Sequence, residues 1–270
     1  MRAALITEYR KLVTTRMWWV LLGAMALYMA FLAVVLTWSL VEAGGAVTSD
    51  VGSGGMVLSP RAVAETVYSL APTFGYVFPV LVGAFAVTGE FRHKTLTPTL
   101  LAEPRRSVVL GAKLVSTLVV GLLFGVVGTL ATAGPGAAVL AALGEPTYLT
   151  DPAVLRSLAL CVVALAVWAV VGVGFGALLP NQVAVIVVLL AFTQLVEPVL
   201  RTVLGLVSWG QGVAAYLPGA AGEAIVGGSF FSTSGLATLL SPWQGFLVLL
   251  GYALVFAAIG RATTLRRDIT

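Results

Sequence analysis

Apolar residues run along this chain in six long stretches, separated by shorter segments rich in polar residues, glycine and proline. The stretches cover residues 17–41, 72–90, 112–133, 153–178, 183–204 and 242–261. Each could cross a bilayer, since a membrane helix needs about 20 largely apolar residues. No stretch alternates polar and apolar positions as the strands of a membrane barrel do. Because a backbone inside a bilayer must satisfy its own hydrogen bonds, the pattern predicts an all-α polytopic membrane protein with six transmembrane helices, forming one domain over residues 1–270.

Residues 1–16 are mixed in character and precede the first stretch. Apolar side chains recur there at helical spacing, at Leu5, Ile6, Tyr9, Leu12 and Val13. Glu8 and Lys11 fall on another face of the same helix. This pattern predicts a helix that lies at the membrane interface, with a solvated N-terminal turn as the alternative. The first stretch is too long for a signal peptide and lacks a clear cleavage site, so we expect an uncleaved anchor.

The composition agrees with a membrane protein and excludes several other classes. Of the 270 residues, 59% are hydrophobic and 10% are charged, whereas a soluble domain has roughly 45–50% apolar and about 25% charged residues. Cys161 is the single cysteine, so no internal disulfide is expected. His93 is the single histidine, which argues against a metal site and against a Ser/His/Asp triad. We therefore expect no catalytic residues, no metal and no cofactor bound by this chain.

The positions of the cations predict the topology. Four Lys and Arg residues precede the first stretch, five lie around the connection between the second and third, and three lie at or after the end of the sixth, so that twelve of the 15 share one side. By the positive-inside rule this side is the cytoplasm, which predicts a multi-pass protein of the cell membrane with both termini inside. The net charge of +4 then needs no nucleic-acid partner, and we expect none.

Three connections would lie on the outer side. Residues 42–71 are rich in glycine and serine, which predicts a flexible loop. Residues 134–152 begin with the helix-breaking triplet Gly-Pro-Gly. Residues 205–241 carry no Lys or Arg and alternate apolar runs with glycine and proline. This last segment is too broken to span a membrane and too apolar for a free loop, so it predicts short helices that enter the outer leaflet.

The connection over residues 91–106 is the most charged part of the chain. Leu96, Leu100 and Leu101 lie there between breaking residues and beside several cations, which predicts a short amphipathic helix that displays these leucines to a partner. Glu90 stands at the inner end of the second stretch, where an unpaired carboxylate would be costly, so we expect a nearby arginine as its partner. A basic loop that only sets the topology is the alternative.

Residues 89–106 carry the string G-E-x-R-x-x-T-L-x-x-x-L-L-x-x-P-x-R, followed by a lysine, and resemble the cytoplasmic loop of ABC-2 type transporter permeases, particularly actinobacterial ones. The similarity extends to E-Y-R-K-L and T-R-M-W-W near the N-terminus, to the six stretches, and to the long apolar segment before the sixth. The resemblance implies that this loop holds a coupling helix, which docks into a separate ATPase subunit. It assigns the coupling to Glu90, Arg92, Thr95, Leu96, Leu100, Pro104 and Arg105.

The resemblance implies the membrane subunit of an ATP-driven exporter that works by alternating access. Its cargo would be hydrophobic or amphiphilic, such as a drug, an antibiotic or a lipid, as in multidrug efflux. The sequence contains no G-x-x-x-x-G-K-[ST] phosphate-binding loop, so we do not expect this chain to be an enzyme. ATP and Mg would be bound by two copies of a partner ATPase subunit. A second permease copy, expected to be identical, would complete the complex within the membrane lipid.

Polar residues interrupt the fifth stretch at Gln194, Glu197 and Arg201. Glu197 and Arg201 are four positions apart and could pair on one helix face. Because ionisable groups within a membrane tend to face cavities, these three residues are candidates for lining a transport path. Aromatic candidates for the same path are Phe74, Tyr76 and Phe78. The alternative is that the polar residues mark only the frayed outer end of the fifth helix.

Two other functions stay open from the sequence. An ion-coupled secondary transporter would need ionisable residues near the middle of the membrane, and Glu197 is the one candidate. No inverted repeat relates residues 17–133 to residues 153–261. A membrane sensor subunit that transports nothing is the other possibility, whereas an intramembrane hydrolase lacks a catalytic set.

Overall fold

Helices form nearly the whole of the described chain. The computed structural model describes residues 2–49, 59–207, 209–228, 232 and 238–264, and these contain no strand. Their α-helices are α1 (Arg2–Thr14), α2 (Met17–Ser49), α3 (Pro60–Tyr68), α4 (Val77–Arg92), α5 (Leu96–Ala102), α6 (Arg106–Ala142), α7 (Pro152–Leu178), α8 (Gln182–Ala191), α9 (Glu197–Gly205), α10 (Gly210–Ala214), α11 (Pro218–Val226) and α12 (Pro242–Thr263). Two π-helical segments occur among them, π1 (Ala71–Gly75) and π2 (Phe192–Val196).

Six helical segments are long and apolar enough to cross a membrane, which confirms the number predicted from the sequence. We call them spans 1 to 6, in chain order: Met17–Glu42, Pro60–Arg92, Arg106–Ala142, Pro152–Leu178, Gln182–Gly205 and Pro242–Thr263. Span 2 runs through α3, π1 and α4, and span 5 runs through α8, π2 and α9. The fold is that of a multi-pass membrane protein.

Side-chain contacts define the two ends of the bundle. At the α5 end, Arg92 at the end of span 2 donates a hydrogen bond to Gln182 at the start of span 5, at 3.0 Å. At the opposite end, Arg61 near the start of span 2 lies 2.9 Å from Asp151, directly before span 4. α1 and α5 belong to the first end. α10 and α11 connect span 5 to span 6 at the second, which we call the α11 end.

The predicted break at residues 134–136 does not occur. α6 continues to Ala142 with Pro135 inside it. A proline removes one backbone hydrogen bond and crowds the preceding turn, yet the helix continues here, where it packs closely against α3. Gly136 lies so close to α3 that a Cβ atom on it would come within 2.6 Å of the Val67 side chain.

The predicted loop over residues 42–71 is partly helical. Its last part forms α3, which begins after Ser59, whose hydroxyl accepts a hydrogen bond from the Ala62 amide at 3.2 Å. The glycine- and serine-rich residues of this loop, 50–58, lie outside the described residues. Also outside them are residues 208, 229–231 and 233–237 of the segment 205–241, the C-terminal Arg266 and Arg267, and the side chains of Leu12 and Val13.

Span 4 lies at the centre of the bundle, where α7 packs most extensively against α4, α6 and α12. In spans 2 and 4, 72% and 67% of the most apolar window is buried, against 22% in spans 1 and 5. The backbones of α4 and α7 touch: a Cβ atom on Gly83 would overlap the Ala169 carbonyl, and one on Gly172 would overlap the Val80 carbonyl. The glycines of residues 172–176 therefore serve close helix packing.

The two π segments meet inside the bundle. Pro72 lies in π1, and Pro198 is the second residue of α9, which begins where π2 ends. Short π turns within helices are frequent at functional sites. Tyr76, which follows π1, donates a hydrogen bond to the carbonyl of Thr193 in π2 at 3.2 Å. This contact joins the irregular parts of spans 2 and 5.

Candidate functional site

Four charged side chains lie together at the α5 end: Glu8, Glu90 and Lys113, which are buried, and Lys11, which is half-buried. We call them the four-charge cluster. The Nζ atom of Lys113 lies 2.9 Å from Glu8 Oε2 and 2.9 Å from Glu90 Oε1. Lys11 pairs with Glu8 at 3.0 Å and also with Glu90. Two positive charges thus balance two negative ones, which matters because an unpaired buried ion costs several kcal/mol. The cluster ties α1, α4 and α6 to one another.

Lys11 links the four-charge cluster to α5. Its ammonium group donates to Thr99 Oγ1 at 3.1 Å, and the Thr99 hydroxyl lies 3.5 Å from Glu90 Oε1. Burial alone would lower the pKa of Lys11, but the hydrogen bond and charge of Glu90, together with those of Glu8, raise the pKa above its ordinary value of 10.5. α5 is therefore held to α1 and α4 by charge-assisted hydrogen bonds.

The partners of Glu90 differ from those expected. They are Lys11 and Lys113, not an arginine. Arg92, the nearest arginine in sequence, is exposed and donates its hydrogen bond to Gln182 instead. Because Arg92 comes only two residues after Glu90 on α4, the two side chains lie on different faces of the helix.

The leucines of α5 do not share one face. Leu96 is 4% exposed, so the prediction that it is displayed to a partner is wrong. It is buried because α5 lies against α6 with its first turn inward. Leu101 is 79% exposed and is the leucine that α5 displays, while Leu100 is half-buried. The other exposed residues of the predicted docking set are Arg92, Thr95, Pro104 and Arg105.

Arg105 is oriented by a neighbouring carboxylate. Its Nε atom donates to Glu103 Oε1 at 2.9 Å. This hydrogen bond lowers the pKa of Glu103 and keeps the pair ionised. An exposed ion pair contributes little to stability, so the pair presents charge at the surface beside α5 without being required for folding.

A cavity of about 510 Å³ lies beside the four-charge cluster, between α1, α2 and α4. Trp18 and Phe85 form apolar walls, and Lys11 and Arg92 border the polar side. The Trp18 indole N–H is buried and has no hydrogen-bond partner among the described residues. The cavity thus combines apolar and cationic surface.

Three charged side chains form a second buried group towards the α11 end: Glu197, Arg201 and Glu223, which we call the three-charge cluster. Arg201 donates two hydrogen bonds to Glu223, at 2.9 Å and 2.5 Å. Glu197 Oε1 accepts hydrogen bonds from the backbone amides of Gly219 and Ala220, at 2.6 Å and 3.2 Å. These amides form the N-terminus of α11, whose dipole favours a carboxylate. α9 and α11 are thus joined by both carboxylates.

The three-charge cluster overturns the view of residues 194–201 as a frayed helix end. Glu197, Arg201 and Glu223 are all buried inside the bundle. The two-pronged partner of Arg201 is Glu223, although Glu197 lies four positions away on the same helix. A guanidinium group binds a carboxylate best through two parallel hydrogen bonds, and α11 places Glu223 in position for both.

A cavity of about 230 Å³ adjoins the three-charge cluster. Of the six residues predicted to line a transport path, those that border it are Phe74, Tyr76, Gln194, Glu197 and Arg201. Phe78 is not among the described residues around this cavity; its ring faces Tyr28 of span 1 instead, with 6.0 Å between the ring centroids.

Tyr76 forms the aromatic side of this cavity and is held from two directions. Its ring stacks on Trp168 of span 4, with 4.4 Å between the centroids and 26° between the planes. Its hydroxyl donates to the Thr193 carbonyl. The ring is therefore fixed at the point where spans 2, 4 and 5 meet.

Five residues of the two clusters and their surroundings were missed by sequence reasoning: Glu8, Lys11, Lys113, Trp168 and Glu223. Two of them had a recognisable signal. Lys113 lies inside the third apolar stretch, and Glu223 is the single charged residue of the segment 205–241. An ionisable residue in such surroundings implies a buried partner. Trp168 had no signal, because one tryptophan in an apolar stretch is unremarkable.

Neither a candidate metal site in the described residues nor a match to a known family or curated protein accompanies this geometry. The described residues contain no group of three or more His, Cys, Asp and Glu side chains that could hold a metal ion. No known protein family matches the sequence, and no curated protein matches it.

Proposed function

We propose that this chain is the membrane subunit of an ATP-driven exporter of the ABC-2 type. The observation that carries the proposal is the placement of α5, a short helix between spans 2 and 3. It displays Leu101 outwards, while Thr99 is hydrogen-bonded to the four-charge cluster. A helix with an exposed apolar tip and a buried ionic attachment is suited to receive force from a partner and pass it on.

The four-charge cluster would carry that force to three other helices. Separating its charges within a buried site costs several kcal/mol, so α1, α4 and α6 follow when a partner moves α5. Two partner ATPase subunits would bind ATP and Mg, close on each other, and shift the spans between inward-open and outward-open states. Hydrolysis would take place in these partners and not in this chain.

The α5 end would face the cytoplasm of the cell, together with both termini. The excess of Lys and Arg at that end supports this orientation. α1 would lie at the inner interface, where Ile6 and Tyr9 expose apolar surface to lipid. α10 and α11 would lie in the outer leaflet.

A second, identical permease copy would cover span 5. The surface of this span is apolar and exposed at Leu195 and Val199, yet Gln194 exposes an amide in its middle. A polar side chain is costly when it faces lipid. A path enclosed between two copies would cover the amide, and its largely apolar walls suit a hydrophobic or amphiphilic cargo, such as a drug, an antibiotic or a lipid.

Co-purification with an ATPase tests the docking surface. Leu101→Asp combined with Arg105→Glu is expected to abolish co-purification and stimulated ATP hydrolysis while leaving the fold intact, because both side chains are exposed. Leu206→Asp is the matched control, since Leu206 is 79% exposed, as Leu101 is, but lies beyond α9 at the opposite end. Assembly and hydrolysis that survive the double variant would contradict the proposal. The buried Leu96 is unsuitable, because its loss would disturb packing.

The burial of Glu197 favours one second candidate, an ion-coupled secondary transporter. Such a transporter requires a carboxylate inside the membrane that can take up and release an ion, and Glu197 borders a cavity. Transport by the reconstituted chain that continues without ATP and stops when the proton gradient is collapsed would support this candidate over the exporter.

A further inference from the structure

Charged residues of α9 and α11 converge on one cavity. Between Arg156 and Arg261 the sequence carries three of them, Glu197, Arg201 and Glu223. The fold brings all three to the cavity of about 230 Å³. Two carboxylates meet one guanidinium group there, so the ionised cavity has one surplus negative charge.

The surplus charge lies on Glu197. Arg201 and Glu223 neutralise each other through two hydrogen bonds. Glu197 Oε1 is held by backbone amides of α11. Glu197 Oε2 is buried and has no hydrogen-bond partner among the described residues, in a side chain that is 2% exposed and borders the cavity. A buried carboxylate oxygen is costly to leave without a donor, and a donor bound in the cavity would satisfy it.

A comparison with Glu90 shows why the charge balance decides the ligand. Glu90 also has an oxygen without a partner among the described residues, and it borders the larger cavity at the α5 end. There, however, Lys11 and Lys113 balance the two carboxylates of the cluster. That cavity therefore has no surplus negative charge to attract a cation, whereas the cavity beside Glu197 has.

The other walls suit a cation that carries an apolar body. Phe74 and Tyr76 border the cavity with aromatic rings, and aromatic faces attract cations. Gln194 is exposed and stands at the rim, beside the apolar surface of span 5. A volume of about 230 Å³ is below the roughly 300–1,000 Å³ of a pocket for a whole drug-sized molecule. It is large enough for the polar end of a ligand, whose remainder would extend past Gln194.

We propose that this cavity binds the primary ammonium group of an amphiphile, which donates a hydrogen bond to Glu197 Oε2. This inference rests on the proposed function in that it names the class of cargo, a protonated amine on an apolar body. An anion would be repelled by the surplus negative charge of the cavity. A neutral alcohol supplies a hydrogen bond without charge, and a quaternary ammonium group supplies charge without a hydrogen bond.

Binding of three matched probes tests the site. The purified full chain, in nanodiscs of zwitterionic phospholipid, is titrated by calorimetry with benzylammonium, benzyl alcohol and benzyltrimethylammonium. We expect benzylammonium to bind roughly tenfold more tightly than either other probe, as a charge-assisted hydrogen bond implies. Glu197→Gln is expected to remove this preference, because glutamine keeps the shape and can still accept from the α11 amides. Glu65→Gln, which changes an exposed carboxylate at the same end, is expected to retain it.

The outcomes separate this inference from the proposed function. Equal binding of the three probes by the wild-type chain overturns the inference, and this result stands even if Glu197→Gln does not fold. A preference that survives in a folded Glu197→Gln variant overturns it too. Amine preference in a chain that recruits no ATPase contradicts the proposed function alone. ATPase-coupled export without amine preference contradicts this inference alone.

Discussion

The two buried clusters differ in how their charges balance. At the α5 end, two lysines meet two carboxylates, and each charge touches at least one of opposite sign. Towards the α11 end, one arginine meets two carboxylates, and Glu197 is held by backbone amides instead of a second cation. A balanced cluster needs no ligand and can act as a joint between helices. An unbalanced cluster beside a cavity leaves charge for a ligand to neutralise.

The clusters also differ in what they hold in place. The ion pair of Lys113 with Glu8 joins residues 105 positions apart and fixes α1 against the core of the bundle. The pair of Arg201 with Glu223 joins residues 22 positions apart and fixes only α11 against span 5. Damage to the first should therefore affect the whole fold, and damage to the second should remain local.

The largest expected effect is that of Lys113→Met. This change leaves two buried carboxylates to share Lys11, and we expect the free energy of unfolding to fall by about 3–5 kcal/mol. Thermal unfolding in detergent measures this loss as a lower melting temperature. Arg105→Met, which breaks an exposed ion pair, should change the melting temperature little. Equal melting temperatures for the two variants would show that the four-charge cluster is not a buried joint.

Gly219→Ala tests the contact between Glu197 and α11. A Cβ atom at this position would lie 2.5 Å from Glu197 Oε1, so the carboxylate must move away from the α11 amides. We expect a loss of about 1–3 kcal/mol in unfolding free energy. Gly212→Ala, where a Cβ atom meets nothing within 4 Å, is the control and should be neutral or stabilising. If both variants unfold alike, the contact does not anchor α11.

Thr99→Val tests the attachment of α5 to the four-charge cluster. The change keeps the shape of the side chain but removes its hydrogen bond with Lys11, at a cost of about 0.5–1.5 kcal/mol. Amide hydrogen exchange should become faster in α5 and stay unchanged in α7. Thr97→Val, at an exposed position of the same helix, should leave exchange as it is. Unchanged exchange in Thr99→Val would show that the hydrogen bond between Lys11 and Thr99 does not hold α5 to the four-charge cluster.

The smallest effect concerns Lys11 at alkaline pH. Because the folded state raises the pKa of Lys11 above 10.5, the stability that this residue contributes is fully present below pH 10.5 and is lost as the pH rises through the raised value. The difference in melting temperature between the wild type and Lys11→Met should therefore be constant from about pH 7 to 9 and shrink above 10.5. If the difference in melting temperature instead grows at alkaline pH, the folded state lowers the pKa of Lys11 and does not raise it.

Much of the fold could be predicted because it depends on local pattern. A run of about 20 apolar residues identifies a span without knowledge of its neighbours, and all six were found in this way. The position of α5 followed from breakers and leucines within residues 91–106. Gln194, Glu197 and Arg201 were recognised together because their spacing places them on neighbouring turns of one helix.

What could not be predicted depends on contacts between distant parts of the chain. The lysine partners of Glu90 come from two other helices, one of them 79 positions away. The burial of Leu96 depends on how α5 lies against α6. Pro135 stays within a helix, and α3 packs closely beside it. The sequence around position 135 does not reveal this packing, because α3 lies far away along the chain.

The backbone contact between α4 and α7 has a consequence for any conformational cycle. Gly83 and Gly172 leave no space between these helices, so neither helix can slide or rotate past the other without losing that fit. Spans 2 and 4 therefore move as one rigid body. Spans 3 and 6 pack on span 4 about as extensively as span 2 does. Spans 1 and 5, each with 22% of its apolar window buried, are therefore the parts left to rearrange, and a path would open by their displacement.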